Sequence, residues 1–361
     1  MRFLSIKKIA KEAGVSTATV SRVLNNPGYK CSSEELRERI WKIARELNYM
    51  PNEAARNLKK GITDTSQKVW YLDVLMTRTG NLETDPFFSE LLRVIESEIH
   101  RQGCILMHIF HQPLFSNDRK CRTENIDKDI AQMEPDGEIR SDGLIIIGKC
   151  NDNVLKKLSA KYRSIVSVNR NSTNYLVDEV ICDGKRIAAM AVEYLIGLGH
   201  RKIGYVGDCH NESRYKGYQD TLFQYGIDMD ISFVIEAEHT EAEGYAVMER
   251  LIQRGDAPTA IYCANDMIAI GMLKCLNKYK NRYYVPSIIS SDDIEEAQYT
   301  KPMLTTVRLP KEEMGKFALY LLIDRLGGGH KGIVRTELEG KLMIRESCTL
   351  VENANRMEYY I

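Results

Sequence analysis

"AGVSTATVSRVLNN", residues 13–26, decides how this chain begins. It strings small residues and hydroxyls along one short helical stretch and sets Arg22 near its end. Upstream, Ile6, Ile9, Ala10 and Ala13 recur at helical spacing until Gly14 breaks the pattern. Val15 is apolar and placed to plug the turn, and Ser16 suits the N-cap of a second helix. Val20, Val23 and Leu24 give that helix its apolar contacts, with Ala18 outward. A third helix is expected from "SSEEL", where Ser32 and Glu35 have capping-box spacing. Its stripe continues through Leu36, Ile40, Ile43, Ala44 and Leu47. Two short helices joined by a glycine turn predict a helix-turn-helix.

The outer face of the second helix is small for a reason that this motif supplies. A DNA major groove admits a helix whose N-terminal residues approach the base edges. Thr17 and Ala18 let the backbone come close, Thr19 and Ser21 offer hydroxyls to phosphates, and Arg22 can fork onto a guanine. Charge points the same way. Residues 1–61 hold thirteen Lys or Arg and six Asp or Glu, a net of +7, while the remainder holds 37 and 44, a net of −7. A basic head on an acidic body suggests a polyanionic partner. A small structural bundle with a solvated basic face is the alternative reading.

The length of 361 residues exceeds one ordinary core. "FLSIKKIAKEAG" puts lysines where a signal peptide needs an apolar run, and no stretch is long and apolar enough for a membrane span. Nine cysteines occur without a C-x-x-C pair. A reduced, cytoplasmic (nucleoid-associated) protein without membrane attachment is expected.

"IKKIAKEAGVSTATVSRVLNN" and "RIWKIARELNYMPNEAARNL" together resemble the DNA-binding head of the lactose-repressor (LacI/GalR) family of bacterial transcription regulators. The resemblance implies contacts to DNA from Ser16, Thr17, Ala18, Thr19, Ser21, Arg22 and Asn25. "PNEAARNLKKG", residues 51–61, resembles the family's hinge helix, which orders on DNA and puts a leucine into the minor groove. Leu58 matches that position, with Asn52, Ala55 and Arg56 beside it; an apolar wedge of this kind kinks the duplex. By pattern alone, Leu58 equally suits a minor packing role. The expected organisation is a helix-turn-helix domain over 1–49, a hinge helix over 50–61, a linker over 62–68, a two-lobed effector-binding and dimerisation domain over 69–348, and a tail over 349–361.

From Val69 onward, short apolar runs alternate with amphipathic helices. Strand candidates are "VWYLDVLM", "CILMHIF", "GLIIIG", "SIVSVN", "EVIC", "KIGYVG", "TAIYCA" and "SIIS". Helix candidates are 87–101, 184–197, 213–225, 241–254, 265–279 and 311–326. Such alternation predicts parallel, doubly wound α/β layers, and the length predicts two lobes. Ligands in such sheets bind beyond the carboxyl ends of the strands. The body resembles the family's periplasmic-binding-protein-like sensor through "DPFFSELLRVIESEIHRQG", "YLIGLGHRKIGYVG", "ESRYKGYQDTLFQYGI", "PTAIYCANDMIAIGMLKCL" and "KPMLTTVRLPKEEMGKFALYLLIDRL". That fold implies three crossings between lobes, expected near Asn169, Asp292 and Leu326.

The same resemblance implies an effector pocket. Arg214, in R-x-x-G-aromatic, matches the arginine that forks onto sugar hydroxyls; Asn265 and Asp292 match polar ligand contacts. Asn169 stands where many members have aspartate. A carboxylate, amides and a guanidinium suit a polyhydroxylated ligand. Capping or surface roles are the alternative for each, and are preferred for Asp266 and Asp293. "GLIIIGK", "IISSDDIE" and "KLMIRES" resemble the galactose- and galactoside-responsive branch more than the purine branch. The segment "HQPLFSNDRKCRTENID" reads only as a polar connection.

No metal, cofactor or catalytic site is expected. The seven histidines show no ligand-like pairing, G-x-S-x-G is absent, and the glycines of "GLGHRKIG" end a helix instead of opening one. The preferred reading is a homodimeric repressor of carbohydrate-utilisation genes on near-palindromic double-stranded operator DNA, released by a small sugar. Replacing Arg214 or Asp292 by alanine is expected to abolish the sugar response and to spare operator binding. The competing readings are a transport-type sugar-binding protein, a sugar-processing enzyme, and the same regulator with a nucleobase corepressor.

Overall fold

The computed structural model describes residues 6–25, 33–46, 69–77, 85–116, 121, 124–133, 140–169, 176–210, 212–279 and 284–353. The chain divides into two units, Met1–Lys68 and Val69–Ile361.

In the first unit, α1 (Ile6–Ala13), α2 (Thr17–Asn25) and α3 (Glu34–Glu46) share one small core. Ile9, Ala10 and Ala13 meet Val20, Val23 and Ile40, with Val15, Leu36 and Ile43 at the edge. Gly14 takes φ +68° and so ends α1 in the left-handed conformation. The Val15 N–H then reaches back to the Ala10 carbonyl at 3.0 Å. Ser16 caps α2, its hydroxyl accepting the Thr19 N–H at 3.1 Å. The α3 hydroxyl cap comes from Ser33, which accepts the Leu36 N–H at 3.2 Å; the expected Ser32 lies outside the described residues.

The second unit holds two six-stranded sheets. The first contains β1 (Tyr71–Met76), β2 (Ile105–His111), β3 (Gly143–Ile147), β4 (Ser164–Asn169), β5 (Asp178–Ile181) and β11 (Arg335–Glu337). Their spatial order is β11-β5-β4-β3-β1-β2, with every pairing parallel. The second contains β6 (Ile203–Gly207), β7 (Val234–Glu236), β8 (Ala260–Cys263), β9 (Ser287–Asp292), β10 (Thr305–Arg308) and β12 (Lys341–Met343), in the order β12-β10-β9-β8-β6-β7. Only β12 runs antiparallel to its neighbour.

A parallel sheet is covered on both faces, which is why "LIII" at 144–147 is apolar without alternation. Ile145 and Ile147 belong to the main core, and Leu144 and Ile146 to a second cluster behind the sheet. That second cluster takes Phe115, Cys121 and Ile126 from the segment read as a polar connection, and Ile130 from just beyond it. The correction has a simple cause: apolar residues set far apart among polar ones leave no run to read, yet a short 3-10 turn, Pro113–Ser116, buries Phe115 and a helix, Ile126–Ala131, buries Ile126 and Ile130.

Each lobe crossing falls one element later than expected. The helix Gly184–Gly197 packs on β8, β9 and β10, so the first crossing follows β5, not β4. The helix Lys311–Gly327 packs on β3, β4, β5 and the helix Pro86–Arg101, so the second follows β10. The third lies between β11 and β12. β10 reads "TTVR" and β11 "RTE", and neither has an apolar run to announce a strand.

Candidate DNA-contact and ligand sites

On α2, Ser16, Thr17 and Arg22 are exposed and Thr19 is half-buried. The Ser16 and Thr19 hydroxyls bond to each other at 2.9 Å. Ser16 therefore braces the start of α2, which places Thr17 at the exposed N-terminal end of the helix. Ala18, Ser21 and Asn25 lie on the same helix, with side chains outside the described set. The hinge positions Asn52, Ala55, Arg56 and Leu58 lie outside the described residues.

In the body, three of the four expected pocket residues meet beyond the carboxyl ends of β6, β8 and β9. Arg214 opens the helix Ser213–Gln224 and its side chain is 1% exposed. Its Nε donates to Glu212 Oε1 at 2.9 Å, and one terminal nitrogen donates to Glu212 Oε2 at 3.1 Å. That nitrogen also lies 3.0 Å from His239 Nε2, while the other donates to the Ala264 carbonyl. Burial opposes the guanidinium charge, but the Glu212 carboxylate and, more weakly, that of Asp292 raise its pKa above the ordinary value. The fork read as free for a sugar is thus already held along one edge by Glu212.

Asn265 follows β8 and uses both ends of its amide. Its Oδ1 accepts the Ile268 N–H at 3.1 Å, capping the helix Asp266–Tyr279, and its Nδ2 donates to the His239 carbonyl at 3.3 Å. Asp292 ends β9 and is 4% exposed. Asn169 ends β4 in the other lobe and is half-buried. Glu212 and His239 are the two site residues that sequence reasoning missed. Glu212 stands two residues before Arg214, a spacing that offered a signal. His239 follows β7, a three-residue strand with none.

Neither neighbouring aspartate is a surface residue. Asp293 is gripped by Arg308 at 2.5 Å and Arg345 at 2.6 Å. Asp266 is fully buried and accepts from Ser290, Thr306 and Ile294. The fully buried histidine is structural: His200 bonds to Thr259, Ser287 and the Thr349 carbonyl, and burial lowers its pKa.

Burial, and next the Asp292 carboxylate, push the Asp266 carboxyl from 3.8 up to about 7. Between those two values the folded state holds a proton that the unfolded chain has released. Its stabilising contribution is therefore present at the acid end and lost as pH rises through about 7. Asp266→Asn carries no charge to bury. Its unfolding midpoint relative to wild type is expected to rise from about pH 5 to about pH 8. A difference independent of pH in paired melting curves would refute this.

Comparison with known proteins agrees with this arrangement. Residues 5–52 match the bacterial regulatory proteins of the lacI family, and residues 192–348 match the periplasmic binding protein-like domain. The HTH-type transcriptional repressor MelR of Bacillus subtilis (strain 168) is 31% identical over 357 residues, covering 95% of this chain and 97% of MelR. The HTH-type transcriptional repressor PurR of Mannheimia succiniciproducens is 30% identical over 359 residues, covering 95% and 98%. Among solved structures, a transcriptional regulator CelR–cellobiose complex superposes with a TM-score of 0.65 at 23% identity, covering 96% of this chain and 100% of that one. Among the described residues, no helix is long and apolar enough to cross a membrane. A helix-turn-helix head, a two-lobed α/β body and relatives that match it from end to end place this chain in the lacI family of bacterial regulatory proteins, as a DNA-binding transcriptional repressor with an effector-binding body and not an enzyme.

Proposed function

We propose that this repressor controls carbohydrate-utilisation genes and leaves its operator when a sugar binds between the lobes. The observation that carries this reading is the convergence of Arg214, Asn265 and Asp292, with His239, beyond the strand ends of one lobe. A guanidinium, an amide and a carboxylate at such a site suit a ligand rich in hydroxyls. Asn169 completes the set from the other lobe. The solved CelR complex holds cellobiose, which supports a carbohydrate. Galactose or a galactoside is the first ligand to test, on the motifs of the sensor body.

The repressor acts as a cytoplasmic homodimer on near-palindromic double-stranded DNA, because one recognition helix reads too few base pairs for useful specificity. In the head, Ser16, Thr17, Ala18, Thr19, Ser21, Arg22 and Asn25 contact the operator. The hinge residues Asn52, Ala55, Arg56 and Leu58 follow in the minor groove. A ligand shifts the lobe equilibrium only by its difference in affinity for the two arrangements. The favoured arrangement separates the paired hinges and releases the DNA.

Asp292→Asn tests the pocket without forcing the backbone, since Asp292 has φ 122° and asparagine tolerates positive φ. The sugar concentration for half-release is expected to rise about tenfold or more, with operator affinity unchanged in its absence. Release at the wild-type concentration would remove Asp292 from the pocket. Ligand that tightens wild-type binding would replace induction by a corepressor mechanism.

Arg22→Ala is expected to cost about 1–3 kcal/mol per half-site and to relax selectivity at one base position. Affinities for single-base operator variants decide it. An equal loss on every sequence would make Arg22 a phosphate contact.

A further inference from the structure

The turn that carries Asp292 is built around a buried carboxylate from another element. Asp292 and Asp293 both have left-handed backbone, with φ 122° and 49°. Non-glycine residues rarely adopt such values, and they persist only where the surroundings enforce them. Here the two amides that follow Asp292 are both tied to Asp266. The Ile294 N–H donates to Asp266 Oδ2 at 2.8 Å. The Asp293 N–H donates to Thr306 Oγ1 at 3.4 Å, and that hydroxyl donates to Asp266 Oδ1 at 2.6 Å. Ser290, two residues before Asp292, donates to the same Oδ1 at 2.5 Å. One carboxylate thus grips the chain on both sides of Asp292. Only the Ile294 N–H reaches the Asp266 carboxyl directly; the Asp293 N–H reaches it through the Thr306 hydroxyl.

Helix capping does not explain this carboxylate. Asp266 is the first residue of its helix, but the cap is Asn265. All three groups that donate to Asp266 lie on β9, β10 or the turn after β9. Burying a carboxylate completely is costly unless such donors surround it.

We propose that Asp266 is a positioning residue for effector binding, which fixes the left-handed turn at residues 292–293 and so aims the Asp292 carboxylate at the ligand. The proposal rests on the reading of Asp292 as a ligand contact. The two side chains then have different roles. Asp292 touches the effector, and Asp266 acts only through the turn.

The test compares Asp266→Ala, Asp266→Asn, Thr306→Val and Asp292→Asn in the full chain. Binding of galactose, cellobiose and ribose is measured by calorimetry, and hydrogen exchange is followed over residues 290–296. Asp266→Ala and Thr306→Val are expected to weaken sugar binding about tenfold and to speed exchange at Asp293 and Ile294. Asp266→Asn keeps an oxygen for the Ile294 N–H, while its NH2 donates to the two hydroxyls, which turn to accept. It should restore slow exchange and bring affinity within about threefold of wild type. Asp292→Asn should lose affinity with exchange still slow. If Asp266→Ala does not fold, Thr306→Val and Asp266→Asn carry the comparison.

Fast exchange with unchanged affinity in Thr306→Val would overturn the positioning role. Slow exchange there would overturn the clamp itself. Wild-type affinity in Asp292→Asn would instead overturn the pocket reading. A wild-type protein that binds none of the three sugars would overturn the sugar reading, and this inference with it.

Discussion

Arg214→Ala is expected to destabilise the sensor body by about 3–5 kcal/mol, because it removes one half of a buried ion pair. The Glu212 side chain is 10% exposed and sits against a guanidinium that is 1% exposed. Without Arg214 its carboxylate loses two charge-assisted hydrogen bonds, from Nε and one terminal nitrogen, while the amide of residue 214 still donates to it at 3.1 Å. The Ala264 carbonyl loses its donor as well. This changes the expectation, drawn from sequence, that the alanine variant leaves operator binding intact. Weaker repression in that variant would reflect lost folded protein as much as lost signalling. Urea unfolding measures the effect directly. Adding Glu212→Gln should restore part of the stability, since it removes a buried charge that has lost its guanidinium. A variant as stable as wild type would show that the pair is dispensable and that Arg214 is free to serve the ligand alone.

Gly271→Ala is expected to cost about 3 kcal/mol or more by overpacking. The helices Glu241–Ile252 and Asp266–Tyr279 touch backbone to backbone at two glycines. A methyl carbon at Gly271 would stand 2.0 Å from the Glu241 carbonyl oxygen and 2.8 Å from the Tyr245 nitrogen. At Gly244 it would stand 2.0 Å from the Ile268 carbonyl oxygen. No rotamer change relieves a clash with backbone, so the helices must separate. Separation would also disturb the start of the second helix, where Asn265 and Asp266 sit. Gly255→Ala is the control, since a methyl there meets nothing within 4 Å. Equal melting temperatures for the two variants would show that the helices yield without cost.

The eight strand candidates and six helix candidates all correspond to elements of the structure, because each carries an apolar run or stripe that must be buried. The four missed strands are short. β7, β11 and β12 stand at sheet edges, where one side has no partner and the apolar demand is low. β10 is interior but buries Thr305 and Thr306, whose hydroxyls bond to Arg345, Asp293 and Asp266. Polar residues satisfied in this way leave no hydropathy signal.

The head was legible from the amino-acid order, since α1, Gly14, Ser16 and α2 follow from local spacing, caps and one left-handed glycine. So were the two-lobed α/β body and the positions of Arg214, Asn265 and Asp292 at or after their strand ends. What those residues touch across the sheet followed from the assembled fold. His239 on Arg214 and Asn265, and Asp266 beneath the Asp292 turn, join groups from different strand ends. Ser290 and Asp266 are 24 positions apart, and Thr306 and Asp266 are 40 apart. Hydropathy and helix periodicity act over a few residues, whereas a buried carboxylate finds its donors wherever packing brings them, so contacts over such separations follow from the assembled sheet alone.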